Sequence, residues 1–343
     1  MTGERSASDR LAGMLLGHQA TEIAAIGVRS GLFAAIAARP GSGGAALARE
    51  HDLAERYVSA WTRGAYAHGF LDLTSDGGYQ LAPHMERLLL DATAPTYAGG
   101  RFRLASALGE DYRRYPELLR TGETWPRSEH GDEILAALAD STTPDASMIV
   151  EHALAHLPEV RARLEGGGSV LDLGAGGGVL AVHLATVFPA ATVDAVESDG
   201  PSLALARRRV EAGALADRVH VRPLDAADLD DRDRHDLATM NLVLHETGGP
   251  GRQHDVLCRT YRALRPGGGL VVSELPYPDD IDSYRSDPVH RRLAGLRLHE
   301  EAVGCAAITQ RQLIDRIAAA GFVGVRAIDQ PRPSRCVVVA TRT

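Results

Sequence analysis

The run Ser169–Gly178, SVLDLGAGGG, limits what this chain can fold into more than any other stretch. Val170, Leu171 and Leu173 form a short apolar run that leads into Gly174, Gly176, Gly177 and Gly178. A helical pattern, VLAVHLATVF, starts directly behind them. Strand, glycine turn and helix in that order open a nucleotide-type site on a parallel α/β sheet, because the free N–H groups of the helix N-terminus face the ligand. Glycine suits the turn because the backbone bends sharply and a side chain would block close approach. The dinucleotide fingerprint G-x-G-x-x-G needs glycine at position 179, which is Val179 here. The spacing Gly174, Gly176, Gly178 is instead G-x-G-x-G, preceded by Asp172 on the strand.

The second half continues the alternation this start demands. Strand patterns TVDAVE, VHVRPLD, HDLATMNLVLHE and GLVVSEL are separated by helical patterns PSLALARRRVEAG and RQHDVLCRTYRAL. Pro266 and Gly267–Gly269 stop the second helix. A last helix, TQRQLIDRIAAAG, precedes FVGVRAI and CVVVATR, which read as a terminal β-hairpin. The expected sheet has seven strands with the last antiparallel. Acidic residues close two strands: Glu197 lies about twenty residues beyond the glycines, where a carboxylate accepts ribose hydroxyls. Asp225, with Ala226 beside it, follows the third strand.

The first half is different. Apolar residues recur at helical spacing from Leu11 to about Ala38, ending at Pro40-Gly41-Ser42-Gly43-Gly44. Two short helical patterns and a turn at Asp76-Gly77-Gly78 then give the order of a winged helix. Such a domain often binds DNA, but the second helix offers only Arg56 and Arg63 beside Glu55. Forty-five acidic against 37 basic side chains give a net charge of −8, which argues against a nucleic-acid or anionic-membrane partner. No apolar run reaches the length of a membrane span, no signal-peptide core follows MTGERSASDR, and three scattered cysteines suit a reducing cytoplasm. Residues 99–165 read as mostly helical.

From about residue 11 to the C-terminus the chain resembles the winged-helix, dimeric small-molecule O-methyltransferases that use S-adenosylmethionine (SAM). The resemblance rests on LDLGAGGG, on MNLVLHE followed by YRALRPGGGLVVSEL, and on the last helix and hairpin. It implies a class I methyltransferase fold, an α/β Rossmann-like sheet behind a helical, winged-helix dimerisation domain. The implied boundaries are 1–98 for dimerisation, 99–165 for a connector walling the substrate pocket, and 166–343 for the SAM-binding catalytic domain. SAM would be held by Asp172, Gly174, Gly176, Gly178, Glu197, Asp225 and Ala226. A nicotinamide cofactor is the weaker alternative. Arg127, Tyr112 and Met148 are the expected substrate contacts. The implied protein is a cytoplasmic homodimer acting on a small, secondary-metabolite-type molecule.

In that family a histidine after the fourth strand deprotonates a hydroxyl, and His245 matches, with Glu274 as one orienting carboxylate. A second carboxylate is expected shortly before the Thr309 helix, but counting back reaches Ala307. His299-Glu300-Glu301 is an extra feature upstream of it. His245, Glu246 and His299 make up the two-histidine, one-carboxylate set that binds iron or zinc and leaves positions open for a chelating substrate. A metal-dependent α-keto acid C-methyltransferase branch of the fold is similar in this respect. Metal-assisted C-methylation of an enolisable acid is therefore the preferred expectation. O-methylation with His245 as base is the alternative, and a non-methylating reaction such as a cyclisation stays open. One geometric difficulty is that adjacent residues on a strand face opposite ways, so His245 and Glu246 could converge only if TGGPG bends the chain.

Overall fold

A computed structural model describes residues 2–126 and 129–343. The chain divides into two compact units, the first ending at Gly109 and the second starting at Glu110.

The first unit is helical. Its helices are α1 (Thr2–Arg29), α2 (Leu32–Ala38), α3 (Gly44–Glu50) and α4 (Glu55–Ala67), followed by a hairpin of β1 (Leu71–Leu73) and β2 (Tyr79–Leu81), then α5 (Met85–Leu89) and α6 (Gly99–Ala107). Phe33, Ile36, Leu47, Trp61, Phe70 and Leu89 are buried together, with Phe33 edge-on to Trp61 at 5.1 Å. Helix, turn, helix and hairpin match the winged-helix order. The long apolar pattern breaks at Gly31, whose φ of 74° is the left-handed conformation glycine tolerates. Over residues 5–29, α1 is long and apolar enough by composition to cross a membrane, contrary to the expectation that no run reaches that length. Its C-terminal half packs into the unit through Ala24 and Ala25, whereas Leu11, Met14 and Leu15 are each more than 60% exposed.

The second unit opens with α7 (Gly109–Thr121), α8 (Asp132–Met148) and α9 (Pro158–Glu165). The catalytic-type segment follows: β3 (Ser169–Leu173), α10 (Val179–Val187), β4 (Thr192–Glu197), α11 (Gly200–Ala212), β5 (Val219–Pro223), β6 (His235–Asn241), α12 (Pro250–Ala263) and β7 (Leu264–Glu274). It ends with α13 (Ser283–Ser286), α14 (Pro288–Ala302), α15 (Gln310–Ala319), β8 (Val323–Ile328) and β9 (Cys336–Thr341). The seven strands lie in the order β5-β4-β3-β6-β7-β9-β8, and β9 runs antiparallel to both of its neighbours. This is the expected doubly wound sheet.

Both faces of the sheet are covered, so its strands are apolar on both sides. Val170, Val193, Leu237, Val271 and Val339 meet α8, α9 and α10 on one face. Leu171, Leu173, Met240, Val272 and Val338 meet α12 and α15 on the other. Residues one apart on β3 thus serve opposite layers, and a one-residue slip would exchange them. The core carries the sheet's C-terminal ends, and with them the site.

One strand stops earlier than its sequence suggests. HDLATMNLVLHE reads as a continuous strand, but β6 ends at Asn241. Leu242 takes a φ of 60°, rare for a side chain of its type, and Leu244–Glu246 forms a single 3₁₀ turn. A bend therefore already lies before His245, at Leu242, as well as in the glycines after it, where Gly248 takes a φ of 105°.

Candidate active site

The glycine turn after β3 holds a left-handed conformation at Gly174 (φ 62°), Gly176 (φ 53°) and Gly178 (φ 75°). A Cβ on Gly174 would lie 2.5 Å from the Val243 side chain, so glycine there lets the loop close on the segment that presents His245. A Cβ on Gly176 would meet nothing within 4 Å, so this part of the loop stays open on one side. Glu197, ending β4, accepts from the Gly176 N–H at 2.8 Å and from the Ser198 and Asp199 N–H groups at 2.8 and 2.9 Å. Asp225, after β5, caps the 226–228 turn through the Ala227 N–H and pairs with Arg252 at 2.6 Å. Ala226 sits in that turn, half-buried.

Asp172 is buried inside β3. Thr239 Oγ1 donates to its Oδ1 at 2.7 Å, while Oδ2 is buried with no hydrogen-bond partner. Burial, reinforced by the nearby Glu197 charge, pushes its carboxyl up to about 7. β3, β4 and β5 are sheet neighbours, so their C-terminal ends set the open glycine loop and two carboxylates side by side. An open Gly176 beside carboxylates and an orphaned Asp172 oxygen fit a ligand with hydroxyl and amino donors such as SAM.

His245 lies at the C-terminal edge of β6 and is buried. Glu274, the last residue of β7, takes its Nδ1 at 2.6 Å and also accepts the Leu244 and His245 N–H groups at 2.8 and 3.3 Å. Glu300 Oε2 stands 3.0 Å from Nε2. Burial pulls the imidazole pKa down, but the two carboxylates outweigh it and hold it well above the ordinary histidine value. Glu246 is partly exposed, with Oε1 3.7 Å from His245 Nε2.

The place of the second carboxylate missing at Ala307 is taken by Glu300, seven positions earlier than counting from Thr309 suggested. Ala307 instead packs beside Tyr277 and Leu293. His299 does not join His245 and Glu246. Consecutive helix residues point about 100° apart, so on α14 Glu300 faces His245 while His299 faces away, onto Asp111 Oδ2. Asp111 Oδ1 lies 3.2 Å from His130 Nε2, and these two imidazoles, against the cost of burial, hold the Asp111 carboxyl down at about 2. The expected metal set is thus divided: His299 falls in a cluster with Asp111 and His130, and His245 in one with Glu300 and Cys305.

Of the expected substrate contacts, Met148 is a core residue, 1% exposed among Ile149, Leu154 and Leu180. Tyr112 points outward at 41% exposure. Arg127 lies outside the described residues. The sequence reading did not single out Asp111, His130 or Tyr277. The Tyr277 hydroxyl is buried without a hydrogen-bond partner, and burial together with the Glu300 charge raises its pKa. Glu300 was visible as part of a triplet, and helix phase would have separated it from His299.

Residues 170–268, which carry the glycine loop, Glu197, Asp225 and His245, match the methyltransferase domain family. The second unit carries a methyltransferase domain. Residues 19–90 match the Rv2258c-like winged HTH domain. The chain is 31% identical over 83 residues to the release factor glutamine methyltransferase of Chlorobaculum tepidum, a match spanning 24% of this chain and 28% of that relative. The fold extends further. An O-methyltransferase family protein from Burkholderia thailandensis superposes with a TM-score of 0.71 at 18% identity, covering 98% of both chains. Human N-acetylserotonin methyltransferase in complex with SAM gives a TM-score of 0.71 at 16% identity, covering 100% of this chain and 98% of that one. The glycine loop and its flanking carboxylates therefore lie within the stretch that matches a methyltransferase domain, while the acceptor is a separate question.

Proposed function

We propose that this protein transfers a methyl group from SAM to a hydroxyl oxygen of a small molecule, with His245 as the general base. The observation that carries the reading is the buried Glu274–His245–Glu300 arrangement, with a carboxylate on each ring nitrogen. The family of the structural neighbour from Burkholderia thailandensis supports the oxygen acceptor.

Bound in the cradle, SAM supplies a methyl group already activated on a sulfonium. Gly174, Gly176 and Gly178 admit it, Glu197 and Asp225 offer acceptors for its hydroxyl and amino groups, and Asp172 lies behind the loop. Glu274 accepts a hydrogen bond from the His245 Nδ1–H, and once the ring has lost its Nε2 proton that nitrogen can take the proton of an incoming hydroxyl. Glu300 then stabilises the imidazolium that forms. The acceptor oxygen must take the place of Glu300 beside Nε2, and the buried Tyr277 hydroxyl is a donor suited to orienting it.

Oxygen is favoured over carbon as the acceptor because His245 is flanked by two carboxylates as a base would be, while His299 turns to Asp111 and away from the His245–Glu246 pair expected to chelate a keto acid through a metal. The exposed stripe Leu11, Met14 and Leu15 on α1 is read as the homodimer contact, since it places large apolar side chains together on one winged-helix-type unit. Three free cysteines suit work in the cytoplasm. The test is incubation with SAM and a panel of phenols and α-keto acids, following S-adenosylhomocysteine and identifying the methylated atom by mass spectrometry and NMR. Ether products support the reading and carbon-methylated acids refute it.

A further inference from the structure

The Asp111–His130–His299 cluster takes no part in the chemistry above. It draws one residue each from α7, the loop before α8, and α14, and all three are buried. We propose that these residues form a site for a divalent cation of the zinc type, separate from His245, that locks α14 and so sets the position of Glu300.

Hydrogen bonding accounts for the Asp111–His130 contact only with a doubly protonated His130, and it leaves His299 Nε2 without a partner in either case. His130 Nδ1 lies 3.2 Å from the Pro126 carbonyl, which can only accept, so Nδ1 carries the proton and in the neutral ring Nε2 presents a lone pair. That lone pair faces Asp111 Oδ1, another acceptor, at 3.2 Å, and neither atom has a hydrogen-bond partner. His299 Nδ1 lies against Asp111 Oδ2, while its Nε2 is also buried without a partner. With His130 neutral, three buried polar atoms of one cluster lack a partner, and buried polar groups are otherwise paired.

A cation meets that need with the spacing observed. Two ligand bonds of about 2.1 Å meeting near 100° put their donor atoms about 3.2 Å apart. The ligand atoms of Asp111, His130 and His299 all lie within 4.8 Å of one another. Two imidazoles and a carboxylate suit zinc or ferrous iron and disfavour magnesium or calcium, which prefer all-oxygen shells. The surroundings are braced for it: Trp125 stacks on His130 at 3.9 Å, and the Trp125 N–H donates to the Ala302 carbonyl at the end of α14. The ion would therefore tie His130, with Trp125 stacked on it, and α7 to the helix that carries Glu300.

The test is metal analysis of the full chain purified without chelator, followed by titration of the stripped protein with Zn²⁺ and with Co²⁺ read by its visible absorption. The wild type and His245→Ala should each bind one equivalent. Asp111→Asn, His130→Gln and His299→Gln should each lose it, with folding checked by circular dichroism and by SAM binding. Chelation should lower the melting temperature of the wild type and leave that of His130→Gln unchanged. No saturable uptake by the wild type, retention of the ion by His130→Gln, or its loss in His245→Ala would each overturn the proposal. Loss in His245→Ala would place the ion at His245 instead.

Discussion

Glu300 Oε2 stands 3.0 Å from His245 Nε2, on the opposite side of the ring from Glu274 at 2.6 Å from Nδ1. The two carboxylates come from different elements, α14 and β7, and both are buried. They raise the histidine pKa against the opposing pull of burial. A histidine flanked in this way is held as the imidazolium and acts as a base only after it has lost its Nε2 proton.

Rate should therefore depend on pH in a defined direction. The acidic limb of kcat/KM should lie above the ordinary histidine value of about 6.5, since the base must be unprotonated in the free enzyme. Glu300→Gln removes a charge that favours the imidazolium and should move the limb to lower pH. Glu274→Gln should do the same and should also lower kcat by about 10²–10⁴ through loss of tautomer control. A limb unmoved in both variants would contradict the assignment.

Glu197→Gln should weaken SAM binding. A charged hydrogen-bond partner is worth about 1.5–3 kcal/mol, so the dissociation constant should rise about 10- to 150-fold by calorimetry. Gly174→Ala should be more severe, because its Cβ would lie 2.5 Å from Val243 at a φ of 62°. Unchanged SAM affinity in Glu197→Gln would remove Glu197 from the cradle.

Asp172 makes stability depend on pH. Its carboxyl is held near 7 by burial in the folded state and titrates near 3.9 when unfolded. The folded state thus keeps a proton that the unfolded state has lost, and stability falls as pH rises between those values, by up to about 4 kcal/mol. Thermal melts of the SAM-free protein at pH 5.5 and 8 should show this loss in the wild type and a flatter profile in Asp172→Asn. Equal slopes in the two proteins would contradict it.

Leu15→Glu should disrupt the proposed homodimer. The side chain is 70% exposed on α1 beside Met14 and Leu11, so a charge there should not perturb the folded unit. Light scattering should give a dimer for the wild type and a monomer for the variant. A wild-type monomer would remove the assigned contact.

Much of the architecture was legible in sequence because it repeats a simple period. Val170, Leu171 and Leu173 alternate between two buried layers, and glycine spacing marks where β3 must turn. Glu197 and Asp225 were legible because each follows a strand whose position in the sheet is implied by alternation. The fate of His299 was not. It depends on the phase of α14, one residue of which reverses the roles of His299 and Glu300, and on Asp111, which lies 188 positions away in the chain. No local pattern encodes such a pairing. The bend at Leu242 was missed for a related reason: an apolar run of leucines and valine reads as strand, while tertiary closure against Gly174 holds one leucine in a left-handed conformation.

The most direct test is single-turnover methyl transfer from isotopically labelled SAM to a hydroxylated acceptor found by screening, comparing wild type with His245→Ala. SAM affinity should match in the two proteins, the wild type should place the label on oxygen, and the variant should be slower by about 10²–10⁴. A variant that turns over at the wild-type rate, or a wild-type product labelled on carbon, would contradict a His245-based O-methylation.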